Sequence, residues 1–306
     1  MPIPITLVTG FLGSGKTTLL QQVARRYPDK NFVFLVNEFS PYGVDPTLLE
    51  GTGIPVISVE GGSIFCKCKV GDFLTHLKNF PDRFRSKEKK IDGLFIETSG
   101  LADPRVIHRL LKETELDAEF SVRYIVAIVV AARFLAVVNT LPVVRAQVET
   151  ADKVILNKLD ISKPEEIDKA LKVIRKINPS VSVVQTSQCD IDILADDESS
   201  GRQVDGELTA RANPYSTFEL PVSKAVDPIQ LSETLAAMGD SVYRAKGFLP
   251  QPGIGSGWAY FDWTQDGWST NPIAYNKEQG MLVILVSDAE EENLSGKITE
   301  LGENLQ

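Results

Sequence analysis

Cysteine and histidine are scarce in this chain: three cysteines and two histidines in 306 residues. Three cysteines, two of them separated by a single residue, do not make a disulfide framework, and a reducing cytoplasm fits that usage best. No His-rich tract exists to store metal. His76 and His108 each stand alone and read as helix-surface or packing residues rather than ligands. Long hydrophobic runs are also lacking. The longest, Ile125 to Ala132, has the length of a buried strand and falls far short of the ~20 residues of a membrane helix. The start, Met1-Pro2-Ile3-Pro4, carries no basic segment and runs straight into an apolar stretch, so no secretory signal is expected. Positive charge is in deficit: the net charge of −9 argues against a nucleic-acid partner, which needs a basic surface. No internal repeat is visible. With 43% hydrophobic and 24% charged residues, the composition supports an ordinary globular core.

What is present begins at Gly10-Phe11-Leu12-Gly13-Ser14-Gly15-Lys16-Thr17, between the apolar run Ile3 to Val8 and a helix-patterned stretch from Thr18 to Ala24. A strand, a glycine-rich turn with Gly-Lys-Thr and a helix form the context that a P-loop requires. Backbone N–H groups of such a loop point inward and cradle phosphate oxygens, assisted by the helix N-terminus. Gly13, Ser14, Gly15, Lys16, Thr17 and Thr18 are the expected phosphate contacts. Lys16 is placed to reach the β and γ phosphates and the Thr17 hydroxyl to ligate Mg2+.

Apolar, β-branched runs recur at Ile5–Val8, Phe32–Val36, Val56–Val59, Leu94–Ile96, Tyr124–Val130, Val154–Leu156 and Val181–Val184, with helix-patterned segments between most of them. Asp103-Pro104 reads as an N-cap followed by proline at the first helical position, and Ser162 with Glu165 as a capping box. The alternation predicts an α/β fold: a mostly parallel sheet covered on both faces, with its site at the carboxyl ends of the strands. From Asp196 to Asn213 the composition turns to Asp, Glu, Ser, Gly and Arg. This divides the chain into a P-loop domain over 1–195, a linker over 196–213 and a smaller α+β domain over 214–306. In the last region, strands are expected at Phe218–Val222, Tyr243–Leu249, Trp258–Trp263 and Met281–Val286, and helices at Pro228–Met238 and Ala289–Leu305.

Asn157-Lys158-Leu159-Asp160 follows the run Val154–Leu156 and names the base. The Asp160 carboxylate accepts from guanine N1–H and the exocyclic amine together. Adenine offers no such pair and would leave the carboxylate unsatisfied. Asn157 is expected to tie the loop together and the Lys158 stem to lie over the base. This favours GTP and GDP over adenine nucleotides and disfavours a P-loop kinase. Glu97-Thr98-Ser99-Gly100 ends another apolar run. Glu97 is positioned for the Mg2+ shell or the attacking water, which makes it the expected hydrolytic carboxylate beside Lys16. Gly100 lets a backbone N–H approach the γ-phosphate.

Taken together, these segments resemble the CobW-like GTPases, relatives of the nickel-handling GTPases UreG and HypB. The resemblance rests on Thr9 to Thr18, on Val36-Asn37-Glu38-Phe39, on Glu97 to Pro104, on Asn157 to Asp160 and on Arg244-Ala245-Lys246-Gly247-Phe248 in the C-terminal region. It implies slow GTP hydrolysis coupled to handling of a transition metal, zinc or cobalt, for a client protein.

The family carries a Cys-x-Cys-Cys metal motif after its Asn-Glu-Phe segment. Here the matching stretch is Phe65-Cys66-Lys67-Cys68-Lys69, with lysine at the third cysteine position. If extended, it points Cys66 and Cys68 to one face, where two thiolates can grip a soft ion, with Glu38, water or a residue from a second subunit or client completing the shell. Two buried inert cysteines, or a Cys66–Cys68 disulfide that the compartment disfavours, are the alternatives. Ser40-Pro41 stands where the family usually has Gly-Glu, and Val130 where a strand-end Asp is common. The functional expectation is a GTPase whose nucleotide state alters this site, with a nucleotide- or metal-dependent homodimer as one arrangement. Its rivals are a GTPase that activates a corrinoid or other cofactor protein without binding metal, and a GTP-dependent scaffold with little turnover.

Overall fold

The computed structural model describes residues 2–38, 49, 51–60, 63–67, 69–85, 90–195, 206, 215–251, 257–265, 267–273, 275, 279–287 and 290–306, excluding the side chains of Glu38, Glu60 and Tyr215. The chain divides into two compact units, one of Met1–Phe39 and Asp45–Ala212, the other built on Asn213–Gln306.

The larger unit is a seven-stranded parallel sheet in the order β3-β2-β4-β1-β5-β6-β7. Its strands are β1 (Ile3–Thr9), β2 (Phe32–Glu38), β3 (Val56–Glu60), β4 (Gly93–Glu97), β5 (Phe120–Val130), β6 (Lys153–Asn157) and β7 (Ser182–Gln185). All seven expected strands are found: the five inner strands are largely buried and read as near-continuous apolar runs, and the edge strands β3 and β7 are marked by their β-branched valines and isoleucine. Two buried clusters cover the two faces of the sheet. On one side, Ile5, Leu7, Val33, Leu35 and Ile96 pack with Phe73, Leu77 and Leu110. On the other, Val8, Phe34, Val36, Phe95 and Ile128 pack with Leu19, Leu20 and Val23 of the helix Lys16–Arg26.

Strand order decides which loops meet. β1 lies between β4 and β5, and Val8 is level with Glu97. The phosphate loop therefore emerges beside the end of β4. β5 separates it from β6, on which Asn157 is level with Val130.

Asp103 caps as expected, its carboxylate accepting from Arg105 N–H at 3.0 Å ahead of a short 3-10 turn and the helix Ile107–Glu113. The helix starts one residue later than the expected Ser162–Glu165 capping box indicates, and only the Glu half of such a box forms. Lys163 is the N-cap of the helix Pro164–Ile177, and its N–H donates to Glu166 Oε2 at 3.2 Å. Pro164 sets this register by taking the first helical position, and Ser162 instead donates its hydroxyl to Lys158 O at 2.8 Å.

The smaller unit is an antiparallel sheet in the order β11-β10-β9-β12-β8, with the helices Pro228–Ala237 and Glu291–Leu305 supplying buried leucines to its core. Its strands are β8 (Tyr215–Val222), β9 (Val242–Pro250), β10 (Trp258–Thr264), β11 (Gly267–Pro272) and β12 (Gly280–Ser287). β11 was not expected. It is an edge strand of mostly exposed polar residues, so no apolar alternation marks it. The Arg244 to Phe248 segment lies in β9. Arg244 makes a bidentate pair with Asp262 of β10 at 3.0 and 2.9 Å, and Phe248 stacks on Tyr275 with ring centroids 4.3 Å apart.

Phe95 is buried at the centre of the larger unit and meets Phe32 and Phe34 edge-on at 5.1 and 5.7 Å. Phe95→Ala removes both contacts and leaves a cavity. It is expected to lower the stability of that unit by about 3–5 kcal/mol, seen as a lower urea midpoint.

Candidate functional site

The turn after β1 is built for close backbone approach. Gly15 is the N-cap of the helix Lys16–Arg26 with φ 110°, and a Cβ there would lie 2.5 Å from Asn157 Nδ2. Only glycine fits both the left-handed conformation and the space. Lys16 is buried at the mouth of the turn, its ammonium donating to Gly10 O at 2.9 Å and Phe11 O at 3.3 Å. Thr17 and Thr18 follow in the first turn of the same helix. The buried hydroxyls of Ser14 and Ser99 have no hydrogen-bond partner among the described residues. Buried donors left in this state fit an anionic ligand or its bound water.

The end of β4 meets this turn directly. Thr17 Oγ1 donates to Glu97 Oε1 at 3.1 Å across 80 positions of sequence, with Glu97 3% exposed. A threonine hydroxyl and a buried carboxylate side by side at a phosphate loop are the donor set that Mg2+ takes. Beyond Glu97, Gly100 lies against the loop: a Cβ at Gly100 would be 2.8 Å from Leu12 N. Gln147 holds Gly100 in place, donating from Nε2 to Gly100 O at 3.0 Å and Ala102 O at 3.5 Å. Gln147 was missed by sequence reasoning. The available signal was its position three residues after Val144 on the buried face of the helix Pro142–Thr150.

The end of β6 is joined to the same turn. Asn157 donates from Nδ2 to Ser14 O at 2.8 Å and accepts at Oδ1 from Cys189 N–H at 2.9 Å. Its amide therefore links the phosphate turn at the end of β1 to the end of β6 and to the Cys189 loop. Lys158, Gln188 and Cys189 have φ of 59°, 55° and 53°, three of the four non-glycine residues with positive φ among the described residues. Strained backbone of this kind collects at ligand sites. Asp160 is exposed at the loop tip, available to a ligand's edge. The helix Lys16–Arg26 is fastened to the Cys189 loop as well, through Gln22 to Gln188 O at 3.2 Å, Arg26 to Asp190 at 2.8 Å and the Tyr27 hydroxyl to Asp192.

Cys189 is the third cysteine, to which sequence reasoning assigned no role. It is fully buried beneath the turn, its thiol donating to Gly15 O at 3.5 Å. Burial pushes the thiol up to about 12, against the opposing pull of the Lys158 ammonium. It stays protonated and packs as a small apolar group.

The metal segment differs from expectation. Cys66 is not in an extended stretch. Its N–H bonds to Ser63 O at 3.0 Å, and its carbonyl accepts from Lys69 and Val70, which turns the chain into the helix Val70–Lys78. Cys66 is fully buried and disulfide-bonded, whereas thiolates were expected and a disulfide was disfavoured. Cys68 and the Glu38 side chain lie outside the described residues, as do Ser40 and Pro41. Among the described residues no group of three or more His, Cys, Asp or Glu is placed to hold a metal ion. His76 and His108 are half-buried on the helices Val70–Lys78 and Ile107–Glu113. Val130 closes β5 beside Asn157 without the carboxylate common there.

A phosphate-cradling turn, a Thr–Glu pair beside it and an asparagine-tethered base loop define a P-loop nucleotide-binding protein. The CobW/HypB/UreG nucleotide-binding domain matches residues 4–185, and the chain belongs to that family. The zinc chaperone YjiA of Escherichia coli is 25% identical over 263 residues, covering 81% of this chain and 82% of YjiA. The zinc-regulated GTPase metalloprotein activator 1 of Saccharomyces cerevisiae is 28% identical over 62% of this chain, which spans 49% of that protein. Among solved structures, Zn(II)-bound YjiA GTPase from E. coli aligns over 100% of this chain and 99% of its own, at 22% identity and a TM-score of 0.45. No described helix is long and apolar enough to cross a membrane.

The buried, protonated Cys189 is expected to resist iodoacetamide at pH 8 in reduced, folded protein and to react once the chain unfolds, read by mass spectrometry of the modified peptide. Because burial raises its pKa by penalising the thiolate, the fold is unaffected by this group below about pH 9 and is expected to lose stability as pH rises from there toward about 12.

Proposed function

We propose that this chain binds GTP with Mg2+, hydrolyses it slowly, and handles or inserts a transition metal, zinc or cobalt, for a client protein. The observation that carries the nucleotide reading is the Asn157 amide, which ties the Asn157–Asp160 loop to the phosphate turn through Ser14 O at 2.8 Å. That tie supports Asp160 as the group that recognises guanine. Gly13, Ser14, Gly15, Lys16, Thr17 and Thr18 hold the phosphates in this reading, and Gly100 lies beside the γ-phosphate. Mg2+, held by Thr17 with Glu97 beside it, would supply charge neutralisation on the phosphate oxygens. Glu97 orients water, and Lys16 exchanges its carbonyl partners for phosphate oxygens. Slow turnover is the expectation for a P-loop GTPase without an activating partner.

The metal reading draws on family membership, on relatives named as zinc chaperones, and on Cys66 with Cys68 and Glu38 as ligands. Cys66 is a ligand only after its disulfide is reduced, because the thiolate is the binding form. The cytoplasm maintains that state. A client metalloprotein or a second copy of the chain would complete the shell. The disulfide and the lysine at position 69 favour, as a second reading, a GTPase that acts on a corrinoid or other cofactor protein without binding metal itself.

Calorimetry with Mg2+ is expected to show GDP and GTP binding far more tightly than ADP and ATP, with Asp160→Asn narrowing the gap. Equal affinities in the wild type would refute guanine selectivity. Lys16→Ala is expected to abolish hydrolysis, and Glu97→Gln to slow it by about a hundredfold while sparing GDP binding. A wild-type rate in Glu97→Gln would remove Glu97 from the chemistry.

Co2+ titration is expected to give a thiolate charge-transfer band only after reduction, and none in a Cys66→Ser, Cys68→Ser double mutant. Absence of the band in reduced wild type would leave the second reading.

A further inference from the structure

Asn37, the penultimate residue of β2, is 4% exposed and has its amide shared among three segments. Its Oδ1 accepts from Ile64 N–H at 3.0 Å and from Ser99 N–H at 3.2 Å, and its Nδ2 donates to Val59 O at 3.2 Å. Ile64 belongs to the turn that carries Cys66, whose N–H bonds to Ser63 O. Ser99 lies between Glu97 and Gly100, at the phosphate end of the site. Val59 is level with Asn37 on the neighbouring strand and anchors the amide, so its carbonyl oxygen has little freedom to swing. We propose that Asn37 is the positioning residue that couples nucleotide state to the Cys66 turn.

One carbonyl oxygen has two lone pairs, and here both serve backbone donors from different loops. The donors are 62 and 27 positions from Asn37. They are brought together because β2 lies between β3 and β4. Any shift of the Ser99–Gly100 backbone when a γ-phosphate arrives must pull on Oδ1 or release it. Either event changes the bond to Ile64, two residues from Cys66.

The turn is well placed to respond as a unit. Ile64 and Phe65 are fully buried, and Phe65 meets Phe73 of the following helix edge-on at 5.9 Å. Movement at Ile64 therefore carries the turn and the start of the helix Val70–Lys78 with it. Packed elements of this kind respond by switching rather than by stretching. The coupling rests on the nucleotide reading of the Glu97–Gly100 loop, and it holds whether the ion bound at Cys66 is zinc, cobalt or none.

The test is amide hydrogen exchange of reduced, full-length protein saturated with Mg2+ and either GDP or a non-hydrolysable GTP analogue. Binding is confirmed separately by calorimetry. Wild type is expected to show exchange rates for Ile64–Val70 that differ by about fivefold or more between the two nucleotides, the lower range of measured couplings. Asn37→Ala is expected to bring that difference to within about twofold while both nucleotides still bind, since allosteric coupling can be lost without loss of either ligand. Asn37→Asp keeps both acceptor bonds, and in its protonated form, which burial favours, it also donates to Val59 O. It is expected to retain the difference at about pH 5, which separates coupling from a purely structural role should Asn37→Ala fail to fold.

A wild type that binds both nucleotides with identical exchange in Ile64–Val70 overturns the coupling and leaves the nucleotide reading intact. A folded Asn37→Ala protein that keeps the full difference overturns it too, as does an Asn37→Asp protein that loses it. Failure to bind either nucleotide removes the nucleotide reading and the coupling together.

Discussion

The hydrogen bond from the Asn157 amide to Ser14 O is the constraint on which the site depends. It crosses from the end of β6 to the turn after β1, over the intervening β5, and ties the phosphate turn to the Asn157–Asp160 loop, which we propose reads the base. With the amide's oxygen taken by Cys189 N–H, the Cys189 loop is held in the same frame. Buried amides satisfied on both sides are rigid, because releasing either bond strands a polar group away from water. Gly15 completes the arrangement, since any side chain there would occupy the space of the Asn157 amide.

Asn37 repeats the device at the other side of the sheet. Both asparagines lie at carboxyl ends of parallel strands, and both gather loops distant in sequence. They differ in what they hold. Asn157 joins the phosphate turn to the Cys189 loop, whereas Asn37 joins the Ser99 loop to the turn containing Cys66. Between them, Thr17 and Glu97 bring a hydroxyl and a carboxylate together at 3.1 Å, and Gln147 supports Gly100 from beneath. The polar groups of the site are thus placed by the strand ends and by two flanking helices, Lys16–Arg26 and Pro142–Thr150, while the apolar clusters on the two faces hold the strands themselves.

The two described cysteines, Cys66 and Cys189, occupy different physical situations. Cys189 is packed under the phosphate turn with a thiol kept protonated by burial, and its contribution is to shape and hydrogen bonding. Cys66 sits in a buried turn and is disulfide-bonded, so its chemistry depends on a reductant. Cys68 lies outside the described residues. Scarcity of cysteine therefore did not mean uniformity of role.

The sequence by itself determined the seven strands and the phosphate turn, and placed the Asn157–Asp160 tetrapeptide at the end of one of those strands. These are local features: continuous apolar runs suffice for strands buried on both faces, and glycine with Lys-Thr at fixed spacing suffices for the turn. It also indicated that Glu97 and Thr17 would serve one site. It missed β11, whose exposed polar residues leave no periodic signal, and misplaced the cap at Lys163 by one residue. Only the tertiary structure decided that the Asn37 oxygen receives both Ile64 and Ser99, that Gln147 bonds to Gly100, that Cys189 lies against Gly15, and that the segment at Cys66 is a turn. Each of those contacts joins segments separated in sequence or depends on how a short polar segment packs. Which amide meets which carbonyl is set by the order β3-β2-β4-β1-β5-β6, in which spatial neighbours are often not neighbours along the chain.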